Sequence, residues 1–255
     1  MRAFRIDRQS QQMHSVLNAT TVPIECKGCH IGSRTIYGST LATSPGAVDA
    51  CRCEIRRLGP QRTFLREGET PSMIYTLHSG WAFQFFQLPD GRRQILMFLV
   101  PGDTLTFESL FFPKMPLPYS VKSLTQVTLC AFSLEDMVKL THALKPLQTE
   151  AEEDFRRYMS GITRRVVDIG RRSAMGRVAQ LLIEIEGRLK RRGLSKDGNF
   201  EFPILQEHLA DALGLTAVYV NRTLDHLRKL NIVAFGNRIM TIQNFERLHE
   251  IANEE

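Results

Sequence analysis

Five cysteines are the residues of this 255-residue chain best suited to metal or redox chemistry. They are Cys26, Cys29, Cys51, Cys53 and Cys130. The first 13 residues are polar and lack the apolar core of a secretion signal, so we expect a cytoplasmic protein. An odd, clustered set of thiols in such a chain favours metal or redox chemistry over structural disulfides.

A second set of chemically informative residues lies near the C-terminus and is suited to reading DNA. Asn221 can pair with adenine and Arg222 with guanine through two hydrogen bonds each, and Val218 can contact a thymine methyl. These residues would lie on the first turns of one helix. The predicted DNA contacts are Thr216, Val218, Tyr219, Asn221 and Arg222, together with Gln206 and Arg238 from the flanking elements.

Two short helices would position these side chains, one over residues 206–213 and one over residues 217–230. Ala210 supplies a small residue where the helices cross, and Gly214 tolerates the positive φ of a tight turn. Thr216 is a suitable N-cap for the second helix. A hairpin over residues 231–242, with a turn at Gly236-Asn237, would form a wing that brings Arg238 near a phosphate. The alternative, an ordinary two-helix corner, explains fewer of these features.

Upstream, short β-rich runs alternate with turn residues and predict a compact β-barrel or sandwich. Pro89-Asp90-Gly91, between two apolar runs, indicates a hairpin. The first 50 residues show no strong helix or strand period, and we expect a partly ordered arm. The predicted strand runs are residues 63–65, 74–77, 81–87, 94–99 and 121–132.

Residues 147–170 predict one long helix with an apolar heptad stripe. Its members are Phe155, Met159, Ile162, Val166 and Ile169, at steps of 4, 3, 4 and 3 residues. The stripe can pack on its own domain or pair with the same helix of a second subunit. The strict spacing and the charged flanks favour the pair.

Composition sets limits on function. The net charge of +6 fits a polyanionic partner. Residues 173–255, however, contain 11 Lys and Arg against 11 Asp and Glu, so charge alone does not predict DNA binding there. No apolar run is long enough to span a membrane, and no catalytic constellation indicates an enzyme. The three helical histidines, His208, His226 and His249, are expected at the surface.

The chain resembles the Crp/Fnr family of bacterial transcription regulators over nearly its whole length. The resemblance implies an α+β fold with a cyclic-nucleotide-binding-like β-roll (a double-stranded β-helix), a long dimerisation helix and a C-terminal winged helix-turn-helix. The expected domains are an arm at 1–50, the β-roll sensor at 51–146, the dimerisation helix at 147–172 and the DNA-binding domain at 173–255. The matching stretches are Gln206-Glu-His-Leu-Ala-Asp-Ala-Leu-Gly-Leu-Thr216, Val220-Asn-Arg-Thr-Leu224, Leu77-His-Ser-Gly80, Gly91-Arg-Arg-Gln-Ile95 and Pro101-Gly-Asp103.

This resemblance also implies how such a protein acts. A homodimer binds an inverted repeat in double-stranded DNA at a promoter and works with RNA polymerase. Of the family's base-contact positions, which fall at Val218, Asn221 and Arg222, only Arg222 matches the Fnr-like pattern, so the target site should differ. The arginine that neutralises a cyclic phosphate is missing from the stretch that ends at Ser120. We therefore predict that cAMP is not the effector.

Fnr-like members hold a 4Fe-4S cluster on three N-terminal cysteines and one in the β-roll, and sense oxygen or redox state through it. Cys26, Cys29 and Cys130 match three of these positions. The third N-terminal cysteine is missing, and Cys51 or Cys53 could replace it because such a cluster needs four ligands; His30 is a further candidate. The alternatives are a clusterless, degenerate site with packing cysteines in an effector-binding β-roll, or a thiol switch or zinc site.

Overall fold

The computed structural model describes residues 26–254 and shows an eight-stranded β-roll over residues 52–133. Two four-stranded antiparallel sheets face each other, in the orders β1-β8-β3-β6 and β2-β7-β4-β5. Apolar side chains between the sheets, such as Leu77, Leu105 and Leu129, are fully buried. The strands are β1 Arg52–Leu58, β2 Thr63–Leu65, β3 Met73–Ser79, β4 Ala82–Gln87, β5 Arg93–Leu99, β6 Thr104–Leu105, β7 Ser120–Ser123 and β8 Val127–Ser133.

The strand predictions are confirmed for β2 to β5 and need two corrections. The run predicted over residues 121–132 is divided between β7 and β8, because the chain turns after Ser123. The arginine-rich strand β1 was not predicted, since only its pairing with β8 shows its place in the sheet. The predicted hairpin joins β4 to β5, and Gly91 there has a φ of +86°.

The arm is more regular than its sequence suggested. Two short helices, α1 Gly38–Thr43 and α2 Pro45–Cys51, follow two single 3-10 turns. The sequence shows no strong helix period here, so these two helices were not predicted. Pro45 suits the first turn of α2, and the buried Tyr37, Leu41 and Val48 join an apolar cluster beneath the β-roll. Long-range packing, which leaves no local period, fixes these helices.

Helix α3 Leu134–Ala143 leads into the long helix α4 Lys145–Arg171, which the heptad stripe predicted. The stripe serves two purposes. Phe155 stacks against Phe107 and Phe111 of its own chain. Met159 and Val166, by contrast, remain 46% and 67% exposed in the single chain. Part of the stripe therefore packs internally, and part remains available to a partner.

The C-terminal part begins with α5 Ala174–Arg191 and contains the two predicted short helices, α6 Gln206–Leu213 and α7 Ala217–Lys229. A four-stranded sheet in the order β11-β12-β10-β9 and a final helix complete it. The predicted wing turn is displaced by one residue to Asn237-Arg238. The remaining elements are β9 Ser195–Lys196, β10 Asn199–Glu201, β11 Val233–Gly236, β12 Ile239–Ile242 and α8 Phe245–Asn253.

A buried carboxylate links the β-roll to α5. Asp103 accepts hydrogen bonds from Arg188 and Arg192, the latter at 2.6 Å, and we call these three residues the junction. Burial alone would raise the pKa of Asp103, but the two guanidinium groups outweigh it and lower the pKa to about 2. Beside the junction, apolar residues of β4 and β5 share one core with α5, α6 and α7.

Candidate nucleic-acid interface and thiol site

The turn between α6 and α7 has the geometry that its residues predicted. Gly214 adopts a φ of +64°, and the next residue, Leu215, donates its backbone N–H to the Ala210 carbonyl at 3.1 Å. Thr216 caps α7, because its hydroxyl accepts a hydrogen bond from the Tyr219 N–H at 3.2 Å. A left-handed residue followed by an N-cap turns the chain sharply, so α7 begins in a new direction after the corner.

One face of α7 is buried and the other faces outward. Val220, Leu224 and Leu227 are at most 4% exposed and anchor the helix in the domain core. On the opposite face, Val218 and Tyr219 are 63% and 47% exposed. All seven predicted contact residues are exposed: Gln206, Thr216, Val218, Tyr219, Asn221, Arg222 and Arg238.

Two of these residues contact each other. Gln206 Nε2 donates a hydrogen bond to Asn221 Oδ1 at 2.8 Å, which joins the start of α6 to α7. This bond uses the Asn221 carbonyl oxygen, and the Asn221 NH₂ group remains a hydrogen-bond donor. A carbonyl oxygen has two lone pairs, so Oδ1 can accept a second hydrogen bond, and both groups needed to pair with adenine are present.

The wing presents its arginine from a tight hairpin turn. Asn237 and Arg238 have φ values of +50° and +61°, which are the paired left-handed conformations of a two-residue hairpin loop. The Arg238 carbonyl accepts a hydrogen bond from Phe202 N–H at 2.7 Å, and this bond ties the turn to the start of the helix-turn-helix. The guanidinium group is left exposed beside the recognition helix.

The burial of His208 differs from the prediction. It was predicted at the surface, but it is 1% exposed and its ring packs 5.4 Å from that of Phe83 in the β-roll. Its Nδ1 accepts a hydrogen bond from Leu205 N–H at 3.3 Å. Burial, and then the nearby Arg93, lower the pKa of His208. The side chain therefore joins α6 to the β-roll, whereas His226 and His249 are exposed as predicted.

The arm and strand β8 bring three cysteines together. We call Cys26, Cys29 and Cys130 the thiol site. Cys29 N–H donates to the Cys26 carbonyl at 3.2 Å, so the two residues share one turn. Burial and a hydrogen bond with Asp49 raise the pKa of the Cys26 thiol to about 12. Burial and the neighbouring Cys29 raise the pKa of the Cys130 thiol to about 11. Cys26 and Cys130 lie in one buried apolar cluster.

The ring of Tyr37 fills the space beside the thiol site. This side chain is 2% exposed, and its hydroxyl shares a hydrogen bond with Thr76. Burial, and then Cys130, Cys26 and Cys29, raise the pKa of Tyr37. Tyr37 lies in the window where the family pattern would have the missing cysteine. No local sequence pattern predicted that Tyr37 would be buried beside the thiols.

The two replacement cysteines differ in position. Cys51 is buried at the end of α2, and its thiol donates to the Ala47 carbonyl at 3.4 Å. Cys53 is exposed at a bulge in β1. His30 stacks edge-on against His78, with ring centroids 5.2 Å apart. Within residues 26–254, no three His, Cys, Asp or Glu side chains converge on a single ion. The ligands of a four-iron cluster bind different iron atoms, so they need not converge in this way.

The arm also reaches the junction. Arg34, five residues after Cys29, donates a hydrogen bond to the backbone carbonyl of Arg192. Ile31 packs against Gly102, where an added Cβ would lie 3.3 Å from Ile31 and 3.0 Å from Arg192. The segment that carries the thiols therefore contacts the last turn of α5. No sequence pattern predicted this contact.

Comparison with known proteins shows the family to which this chain belongs. Residues 55–143 match the cyclic nucleotide-binding domain family, and residues 176–251 match the Crp-like helix-turn-helix domain family. The transcriptional activatory protein AadR of Rhodopseudomonas palustris is 31% identical over 75% of this chain and 80% of its own length. The chain belongs to the Crp/Fnr family of transcription regulators. Members of this family regulate transcription and are not enzymes, as the sequence predicted.

A further relative supports the same conclusion, and a solved structure supports the fold. The transcriptional activator protein FnrL of Cereibacter sphaeroides is 26% identical over 92% of this chain and 94% of its own length. The solved structure of FixK2 from Bradyrhizobium japonicum superposes with a TM-score of 0.71, at 24% identity, over 80% of this chain and 98% of FixK2. The fold class predicted from the sequence is confirmed. Among residues 26–254, no helix is long and apolar enough to cross a membrane.

Proposed function

We propose that this Crp/Fnr regulator binds an inverted-repeat promoter site as a homodimer and engages RNA polymerase there. The observation that carries the proposal is the exposed outer face of α7, where Val218, Tyr219, Asn221 and Arg222 lie above a fully buried inner face. A helix of this kind fits the major groove, which admits an α-helix and displays base edges. Arg222 is assigned to guanine and Asn221 to adenine.

Positioning contacts complete the interface. Thr216 and Gln206 lie at the N-terminal ends of α7 and α6, where free N–H groups favour phosphate. Arg238, on the wing turn, is assigned to a phosphate of the flanking backbone. Phosphate contacts fix the register of a protein on DNA, whereas base contacts give specificity.

The exposed part of α4 is assigned to the dimer contact. Met159 and Val166 are large apolar side chains that a single chain leaves exposed. Burying them against a second subunit would contribute favourable free energy. Ile162 and Ile169 lie on the same stripe and are partly exposed. Pairing two α4 helices along this seam would place the two recognition helices in successive major grooves. Phe155 contributes indirectly, because its ring holds α4 against the β-roll.

We propose that the signal is oxygen or redox state, sensed by an iron-sulfur cluster at the thiol site. Thiolates are the usual ligands of such clusters. The proposal is supported by Cys26 and Cys130, which share one buried cluster, and by Cys29, which lies on the same turn as Cys26. A bound cluster would supply an oxidant-sensitive group beside the arm. The arm contacts the junction through Arg34, so a change at the thiols would reach α5 directly.

A clusterless sensor is the second candidate, and one observation favours it. The Tyr37 ring lies in the same buried cluster as Cys26 and Cys130, and its hydroxyl shares a hydrogen bond with Thr76, so a side chain already fills the space beside these thiols. The β-roll would then respond to another effector. The stretch expected to bind a cyclic phosphate holds the buried Tyr119, whose hydroxyl donates to the Glu108 carboxylate. A carboxylate repels phosphate, so the prediction that cAMP is not the effector extends to this candidate.

Selection from random double-stranded DNA, followed by fluorescence anisotropy, tests the DNA-binding assignment. We expect enrichment of an inverted repeat whose half-sites lie one helical turn apart. Arg222→Ala should lose about 1–3 kcal/mol of binding free energy and relax specificity at one base position. Arg247→Ala is the matched control, because Arg247 lies on α8 and pairs with Glu250. Equal losses in both variants, or no enriched repeat, would remove the assignment.

Light scattering tests the dimer. We expect twice the chain mass for the wild type and the single-chain mass for Val166→Glu. Leu88→Glu is the matched control, since Leu88 is also an exposed apolar residue but lies on the β4–β5 hairpin. A Val166→Glu variant that keeps the wild-type mass would place the subunit contact elsewhere.

A further inference from the structure

Gln206 and Asn221 form a side-chain hydrogen bond on the surface assigned to DNA. Gln206 Nε2 donates to Asn221 Oδ1 at 2.8 Å, although the two residues lie 15 positions apart in the chain. Both residues are exposed, so water could satisfy either amide. Such a bond contributes little to stability, but it determines which groups of the two amides remain for DNA.

The backbone beneath each amide is held by contacts of its own. Gln206 is the first residue of α6, where the preceding Leu205 donates its N–H to the buried ring of His208 at 3.3 Å. Asn221 lies on α7, whose start is capped by Thr216 and whose inner face is buried. The torsions left to order are those of the two side chains, and the hydrogen bond restrains both.

A side-chain amide can present its two groups in either order. Rotating the Asn221 amide by half a turn exchanges Oδ1 and the NH₂ group. With the Gln206 donor in place, the rotated amide would set the NH₂ group of Asn221 against the NH₂ group of Gln206, and two donors do not form a hydrogen bond. The Gln206 donor therefore favours one of the two orders at Asn221.

Recognition of a base depends on this order. In the major groove, adenine displays N7 as an acceptor beside its N6 amino group as a donor. On a helix held in the groove, one order of the Asn221 amide matches these two groups and the reversed order opposes them. Oδ1 accepts from Gln206 with one lone pair and retains a second for adenine N6, while the NH₂ group can donate to N7.

We propose that Gln206 is a positioning residue for base recognition, which holds the Asn221 amide in the order that pairs with adenine. The inference rests on the proposed DNA-binding function and deepens it. It assigns the Gln206 side chain to Asn221, whereas a phosphate contact at the start of α6 uses backbone N–H groups. Losing the Gln206 donor should weaken the preference for adenine at one position and leave the rest of the site unchanged.

Fluorescence anisotropy with the enriched inverted repeat, carrying each of the four base pairs at the Asn221 position, tests this role. That position is the one at which Asn221→Ala relaxes specificity. Gln206→Met replaces the amide with an apolar group of similar length. It should bind the adenine site about 3- to 10-fold more weakly and lose most of the preference for adenine. In the Asn221→Ala background the same substitution should have little further effect.

Gln243→Met is the matched control. Gln243 is exposed and follows the end of β12, at the opposite end of the hairpin from the wing turn. The control should keep the wild-type affinity and base preference. Unfolding midpoints confirm that each variant folds.

Two charged variants test the direction of the hydrogen bond. Gln206→Lys keeps a donor and should keep the preference for adenine. Gln206→Glu can only accept, so it should reverse the Asn221 amide and abolish that preference. A charge changes the affinity for every DNA sequence, and the ratio of affinities among the four base pairs is therefore the quantity compared.

An equal loss on all four base pairs in Gln206→Met, additive with Asn221→Ala, would show a phosphate contact. This result would overturn the positioning role and leave DNA binding intact. Unchanged binding by Gln206→Met, equal base preferences in Gln206→Lys and Gln206→Glu, or no relaxed position in Asn221→Ala would overturn the role as well. A wild-type chain that enriches no repeat would instead overturn the proposed function itself.

Discussion

In the helix-turn-helix the side chains assigned to DNA are exposed, whereas in the arm the thiols assigned to iron are largely buried. Asn221 and Arg222 rest on a helix whose position is fixed by its own corner, cap and inner face. Cys26 and Cys130 depend on partners that lie far away in the sequence. A DNA reader needs a rigid base and free side chains, but a sensor needs its groups shielded until the signal arrives. The two regions should therefore respond differently to mutation.

The junction offers the largest expected effect, because it joins these two regions. Asp103→Asn removes the only charge in the described structure that pairs with both Arg188 and Arg192. We expect a loss of about 3–5 kcal/mol in the free energy of unfolding, since Arg192 loses its carboxylate partner and Arg188 keeps, among the described residues, Glu184 at 3.8 Å. Urea denaturation measures it. Asp90→Asn, which breaks an exposed pair with Arg92, should change little. Similar small losses in both variants would show that the junction does not hold the domains.

Removing the N-cap of α7 tests the helix-turn-helix separately from the thiol site. Thr216→Ala should cost about 1 kcal/mol of stability, because the Tyr219 N–H loses its acceptor. DNA affinity should fall with it, while the iron content stays unchanged. Thr216→Ser retains the hydroxyl and should behave as the wild type. A change in iron content in Thr216→Ala would contradict the separation of the two regions.

Two tyrosine-to-phenylalanine variants compare the arm with the helix-turn-helix, because each variant removes one hydroxyl oxygen from one of the two regions. Tyr37→Phe should cost about 1 kcal/mol, since Thr76 loses a buried hydrogen-bond partner. Tyr219→Phe removes an exposed hydroxyl and should leave the unfolding midpoint unchanged. Thermal denaturation of both variants measures the difference. Equal midpoints would show that the arm is as solvated as the reader.

The smallest expected effect comes from acidification. Burial lowers the pKa of His208 below its ordinary value of 6.5, so the folded protein favours the neutral ring. The unfolded chain binds this proton more readily. The stability that neutral His208 contributes is therefore present above about pH 6.5 and is lost as the pH falls below it. His208→Gln should have a shallower slope between pH 7 and 5 in denaturation curves. An unchanged slope would assign the pH dependence to another group.

Local signals account for what could be predicted from the sequence. Gly214 and Thr216 act within a few residues of their own positions, so the corner, the cap and the exposed face of α7 were predictable. The heptad stripe likewise predicted α4. The resemblance to the Crp/Fnr family also identified Cys26, Cys29 and Cys130 as one set, because it supplied their pattern.

Long-range pairing accounts for what was missed. His208 carries no local signal of burial, because the surface that covers it belongs to β4. Asp49 and Cys26 are 23 residues apart and meet only after α2 folds against the arm. Asp103 was recognised as part of a β-roll motif, but its partners Arg188 and Arg192 lie on a different domain. Each of these contacts depends on the finished fold.

Arg192 carries a consequence for exchanging parts between regulators. Its guanidinium holds Asp103, and its carbonyl holds Arg34, so three segments distant in the sequence meet at one residue. A chimera joined at the start of α5 would place the arm and β-roll of one regulator against the Arg192 of the other. Sensor and reader are therefore not interchangeable modules. A working graft must transfer the arm, the Asp103 turn and the end of α5 as one unit.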